Sequence, residues 1–214
     1  MTSAGLLAYI AKYNLSIWPM QVVVYVLALA AVFLAVKKTK SSDRIIAAIL
    51  ALFWLWNGIM FFLPTGGSNA LWYVIAALFI IQGLLFLVGP AKPFVSYRIS
   101  TDIYSLTGIV LILYALIGSP LVGALVGHLY PQMAFLGLAP CPTLPFTFGL
   151  LLCTDSKIPK YLLVVPFVWG LFGVMTISIG MVEDVVMLLG ALLATAMIVY
   201  RDRKAMPATA PRPA

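Results

Sequence analysis

The 214 residues are 64% hydrophobic and only 9% charged, a balance that excludes a water-soluble domain and a disordered chain alike, because soluble chains average about half apolar and a quarter charged. The 13 Lys and Arg outnumber the 6 Asp and Glu, giving a net charge of +7 that in a soluble protein would suggest nucleic acid; here the charges flank apolar runs, which points away from that partner. A membrane helix needs about 20 apolar residues, so the composition predicts one all-α polytopic membrane domain over residues 1–204 whose partner is the lipid bilayer.

In chain order, Leu6 to Tyr13 is helix-like but too short to span, and is expected on the outer surface. No basic leader with a small-residue cleavage site precedes it, so no cleaved signal is expected. Seven transmembrane spans follow at about 18–36, 45–63, 70–88, 103–117, 138–153, 161–178 and 185–200, then a Pro- and Ala-rich disordered tail at 205–214. Ser16 is placed to cap the first span, Ser41 to Asp43 the second, and Thr101 with Asp102 the fourth. Pro159 opens the sixth, and Trp18 and Trp72 fall where an outer aromatic belt would lie. With this map twelve Lys and Arg lie on one side and only Lys12 on the other. Basic residues in short loops mark the cytoplasmic face, so the N-terminus is expected outside and the C-terminus in the cytoplasm.

Asn57, Gln82, Ser105, Thr107, Thr147 and Thr176 are polar residues within these spans and are expected to hydrogen-bond to neighbouring helices. None of them is charged, which argues against a proton pump or an ion-coupled carrier with a charged relay. The last span lacks the Lys that a retinal Schiff base requires.

The unusual stretch is 118–147, GSPLVGALVGHLYPQMAFLGLAPCPTLPFT, which has no charge apart from what His128 can carry. Gly123 and Gly127 have the spacing of a close-packing pair, and Leu121 to His128 is expected to form a short helix in the outer leaflet or along an outer vestibule. Pro140, Pro142 and Pro145 break the start of the fifth span. A helix-interior proline frees the carbonyl four residues earlier, and irregular backbone at membrane depth is tolerated where it lines a cavity. The Cys141-Pro142-Thr143 triplet within it looks like the Cys-Pro-Cys motif of heavy-metal ATPase membrane helices, although the chain has none of those enzymes' other domains.

The ligand-binding set is therefore expected to be His128, Tyr130, Cys141, Thr143, Glu183 and Asp184 on the outer side. Cys141, His128 and Met133 are the metal candidates, suited to a soft ion such as Cu(I). Each has a plainer reading. Acidic groups are favoured at a helix N-terminus, Met fills gaps in apolar packing, and a lone His often bonds to backbone. Cys141 and Cys153 are 12 residues apart on one span, about 18 Å along a helix and beyond disulfide reach, so both are expected as thiols. No catalytic triad, HExxH motif or phosphate loop is present.

Gly127-His128, Tyr130-Pro131, Phe135, Gly137, Cys141-Pro142-Thr143 and Phe146-Thr147-Phe148-Gly149 resemble an uncharacterised family of bacterial multi-pass membrane proteins, a domain of unknown function. Tyr13-Asn14, Ile17-Trp18-Pro19, Gln21 and Trp56-Asn57-Gly58 are similar to it too. The resemblance implies a bacterial inner membrane protein and transfers no activity. Three functional classes remain: a small-solute or soft-metal transporter or binding protein with an outward-facing site, a structural or regulatory partner packed with a second copy or other membrane subunits, and a membrane enzyme. The first is the expectation.

Overall fold

The computed structural model describes residues 2–67, 69–88 and 95–204; the expected tail at 205–214, Lys92 and Arg212 lie outside them. The described residues form an all-helical protein: α1 (Ser3–Ser16), α2 (Met20–Val36), α3 (Ser42–Thr65), α4 (Ala70–Val88), α5 (Ile103–Leu125), α6 (Pro140–Leu152), α7 (Tyr161–Ser178) and α8 (Val182–Lys204). Five of these, α3, α4, α5, α7 and α8, are long and apolar enough to cross a membrane, and α1 with α2, bent by 88°, would make a sixth. The expected span at 138–153 is instead a 13-residue helix, α6, about 20 Å long at helical rise.

α6 is short because it is an internal strut. Every residue from Pro140 to Leu152 except Cys141 is buried, between α3, α5, α7 and α8. The prolines that were expected to break it instead begin it. Pro140 and Pro142 occupy the first turn, where a missing N–H leaves nothing unsatisfied, and only Pro145 lies in the interior. Leu136 and Leu138, whose carbonyls were expected to be freed, precede the helix; the Leu138 carbonyl accepts from the Tyr13 hydroxyl at 3.0 Å.

The close approach of α5 to α6 depends on small residues. A Cβ on Gly149 would stand 2.7 Å from the Gly108 carbonyl oxygen, and one on Gly108 would stand 2.6 Å from that of Gly149. Gly123 and Gly127 do not form the expected packing pair. The former has nothing nearer than 3.6 Å and the latter nothing within 4 Å; Gly127 serves a turn at φ +90°. Nor is Leu121 to His128 a separate helix, since α5 continues through a π-helical turn at Tyr114–Gly118 to Leu125.

α1 packs inward as well as covering one end of the bundle: Ile10, Tyr13 and Asn14 are buried. Ser16 donates to the Tyr13 carbonyl within α1 and does not cap α2, which has no side-chain cap. α3 likewise lacks one, whereas Asp102 caps α5 by accepting from the Ser105 N–H at 2.8 Å. Trp18 is exposed, but Trp72 is half-buried and stacked on Phe62. The core centres on Trp54, Phe62, Phe79 and Trp169, whose ring centroids lie 4.7–5.2 Å apart along the chain of contacts. Trp54 Nε1 donates to Thr147 Oγ1, and Gln82 Nε2 to the Leu162 carbonyl. These are the interhelical bonds expected of in-span polar groups.

The opposite, basic end is tied by charge. Arg201 donates to the carbonyls of Leu152 and Thr154 at 3.2 and 3.1 Å, and Lys38 lies 3.5 Å from Asp43. Around the bundle's middle, Leu29, Phe33, Val74, Val110, Leu189 and Leu193 are exposed, an apolar surface that water would penalise and lipid would not.

Candidate functional site

At the α1 end, two helix junctions bring the chemistry together. After α5 the chain turns at Gly127, and the His128 N–H bonds to the Gly123 carbonyl at 2.8 Å, which fixes the imidazole's base. α7 ends in a turn at Gly180, φ +98°, where the Met181 N–H returns to the Thr176 carbonyl. Glu183 and Asp184 follow in the first turn of α8, where acidic groups are favoured. Both are buried, at 6% and 2% exposure. The expectation that no charged residue lies buried in the spans is thereby corrected: the α8 span begins at Val182 and carries both carboxylates inside.

His128 Nδ1 stands 2.8 Å from Glu183 Oε1. Tyr114, in the π-helical turn of α5, donates its hydroxyl to the Glu183 carbonyl. Asp184 accepts the Cys141 thiol at 3.4 Å, and Thr176, which lines the same cavity, donates its hydroxyl to the Gly173 carbonyl at 3.2 Å. Cys141, at the second position of α6, and Asp184 thus couple the internal strut to α8.

Glu183, Asp184 and Cys141 line a partly enclosed cavity of about 70 Å³, room for a few waters or one small solute. Trp72, Trp169, Phe61, Phe62 and Phe172, with Met175 and Met181, form much of its wall, and Leu6 and Ile10 of α1 line it as well. Glu183 Oε2 is buried and has no hydrogen-bond partner among the described residues. Buried polar atoms are nearly always paired, and Trp169 Nε1, on another residue lining the cavity, is likewise without a partner among the described residues, so this end of the cavity carries one unpaired acceptor and one unpaired donor.

The expected set is divided by the fold. His128, Glu183, Asp184 and Cys141 form one cluster. Thr143 is used internally: its hydroxyl accepts the Gly137 N–H at 2.9 Å and donates to the Ala139 carbonyl at 2.6 Å. Tyr130 is exposed and lines a separate open groove with Trp18, Gln21, Tyr25 and Phe135. Met133 contributes its carbonyl, which accepts from Asn14 Nδ2 at 2.8 Å, and the cavity's methionines are Met175 and Met181. Of the three metal candidates, His128 and Cys141 fall in the cluster and Met133 is not among the residues lining the cavity. Among the described residues no group of three or more His, Cys, Asp and Glu is placed to hold a metal ion.

Many of the remaining motif residues build the scaffold around this end. Asn14 Nδ2 donates to the carbonyls of Pro131 and Met133, Gln21 Nε2 to that of Asn14, and Asn57 Nδ2 to that of Gly137. Trp56 Nε1 donates to the Tyr13 hydroxyl. Together they pin the irregular segment 131–138 against α1 and α3. Sequence reasoning missed Tyr114 and the aromatic wall; Thr176, expected to bond to a neighbouring helix, instead donates to the Gly173 carbonyl of its own helix and lines the cavity.

The chain belongs to the family of unknown function DUF6064, whose model matches residues 4–208. No curated protein and no solved structure matches it.

Proposed function

We propose that this member of DUF6064 is a seven-pass protein of a bacterial inner membrane, N-terminus outside, whose outer chamber binds a small solute and hands it across the membrane. The observation that carries the reading is the pair of adjacent buried carboxylates at the margin of a largely apolar cavity, with Glu183 Oε2 and, on another lining residue, Trp169 Nε1 unpartnered among the described residues. Ionisable groups at membrane depth are costly and mark ligand or ion pathways. A purely structural role would be served by fully satisfied partners or by apolar packing. The orientation is supported by the basic loops, and the seventh pass is α6, shielded from lipid by its neighbours and so free to be short.

The soft-metal variant loses its support with the separation of Met133 from the cluster, and the reading narrows to a solute that can donate a hydrogen bond to Glu183. Reconstituted vesicles test it with a panel of small cations and neutral solutes. Protein-dependent, saturable binding or flux that Glu183→Gln reduces tenfold or more is expected. Flux and binding indistinguishable from protein-free vesicles across the panel would overturn it.

A further inference from the structure

A second hollow lies outside the chamber, on the flank of α1. The two helices α1 and α2 meet at 88°, so where α2 crosses the bilayer α1 lies along its surface, at the depth of the lipid headgroups. Leu15 and Trp18, near the corner between them, are exposed, and tryptophan at this level is a membrane-interface anchor. An open groove of about 450 Å³ is walled by Tyr9, Lys12, Tyr13, Ser16 and Ile17 together with Met60 and Pro64 of α3, within the roughly 300–1,000 Å³ of ligand clefts. The hydroxyls of Tyr9, Tyr13 and Ser16 donate to the carbonyls of Phe61, Leu138 and Tyr13. Lys12 is the groove's one charged residue; it is exposed, and among the described residues no acidic side chain lies within ion-pair distance of it. A further hollow of about 230 Å³ shares Tyr9 and Pro64 with the groove and extends its apolar wall to Leu6, Phe61, Phe62 and Trp72.

We propose that this groove binds an anionic phospholipid, its phosphate on the Lys12 ammonium and an acyl chain laid over Met60, Pro64 and Tyr9 towards Trp72. The site requires α2 to span, as in the seven-pass reading, and is separate from the chamber's occupant. A cation without a counter-charge beside an apolar floor, at headgroup depth, matches both halves of an anionic amphiphile. A soluble anion would neutralise Lys12 and leave the apolar floor in water. A phosphatidylcholine would bring a second cation into a groove whose wall holds no carboxylate for it. A second copy in the same orientation has no carboxylate to offer either. Of the chain's 6 acidic residues, Asp43, Asp102, Asp155 and Asp202 lie at the basic end, and Glu183 and Asp184 are buried.

The full chain in lipid nanodiscs tests it with photoreactive phosphatidylglycerol and phosphatidylcholine, each carrying a diazirine on the acyl chain, followed by peptide mapping. Phosphatidylglycerol is expected to label segments 9–17 and 60–64 about fivefold more than phosphatidylcholine does, the factor that one lysine beside an anionic headgroup supplies. Lys12→Gln should cut that labelling to the phosphatidylcholine level and Lys12→Arg should restore it. Labelling around Lys37 and Lys38, at the basic end, should stay unchanged in both variants, which shows that they are folded. Equal labelling of the groove by the two lipids overturns the assignment, as does labelling that Lys12→Gln leaves unchanged or the absence of label from both segments. Displacement of the label by excess inorganic phosphate also overturns it, because the ligand would then be a soluble anion. None of these outcomes touches the chamber, whose solute reading the vesicle panel decides separately.

Discussion

His128 and Glu183 meet at 2.8 Å with little solvent on either, so removing one strands the other. His128→Ala leaves a buried carboxylate with neither oxygen paired by a side chain, and a broken buried pair costs about 3–5 kcal/mol; thermal unfolding in nanodiscs should show it as a clear drop. Thr143 acts through backbone: Thr143→Ala leaves the buried Gly137 N–H unsatisfied, about 1–3 kcal/mol, and Thr143→Ser should recover most of it. At the basic end, burial pushes the Asp102 carboxyl up, but hydrogen bonds from Ser100, Ser105 and Tyr104 and the Arg201 charge outweigh it and hold it below its ordinary value. A depressed carboxylate stabilises the fold above its unfolded pKa, near 3.9, and that contribution is lost as pH falls through the folded value. Asp102→Asn, which can still cap α5, should therefore unfold with a shallower dependence on pH in the acid limb. At this scale the sequence showed the reactive residues of the chamber, because Cys, His and paired acids are conspicuous in an apolar chain. It misdirected Tyr130, Met133 and Thr143, because residues 126–139 follow no helical period from which side-chain direction can be read.

Helix α6 shows how an element's role can differ from its pattern. Its prolines read as breaks, yet two occupy the turn where proline is harmless, and the shortness that looked like a poor span reflects burial on all sides. The glycine pattern misled for a related reason: spacing reports that two glycines share a face, and the partner decides whether the face is used. Gly149→Val should drive a branched side chain into the Gly108 carbonyl, 2.7 Å from the added Cβ, costing at least about 1–3 kcal/mol and lowering the yield of folded protein. Gly123→Ala has its nearest neighbour at 3.6 Å and should be tolerated, with unfolding temperature unchanged or slightly raised by the better helix propensity. The α1–α2 corner was legible in its first half only. Tyr13 and Asn14 are two of the polar hooks that draw α1 inward, and a short amphipathic stretch does not announce that its partners lie more than a hundred residues away.

Taken whole, the molecule separates its charges into two ends. Basic residues and four carboxylates knit the loops at one end, an apolar belt surrounds the bundle, and the chamber at the other end holds two acids beneath an aromatic wall. The all-helical character was legible from composition alone, but of seven expected spans only five helices are long and apolar enough to cross a membrane, with a bent pair as a sixth; the chamber was not legible, because it is assembled from α1, α3, α4, α6, α7 and α8 at once. Two adjacent carboxylates buried at the chamber are a cost that packing alone does not require, and strain of this kind is retained at functional sites. The most direct measurement is the unfolding temperature of Glu183→Gln beside wild type, both ligand-free in nanodiscs at neutral pH. A variant at least as stable as wild type is expected, because glutamine can keep a hydrogen bond to His128 and removes one of two adjacent buried carboxyl groups. A variant that unfolds several degrees lower would make Glu183 a structural anchor and contradict the account.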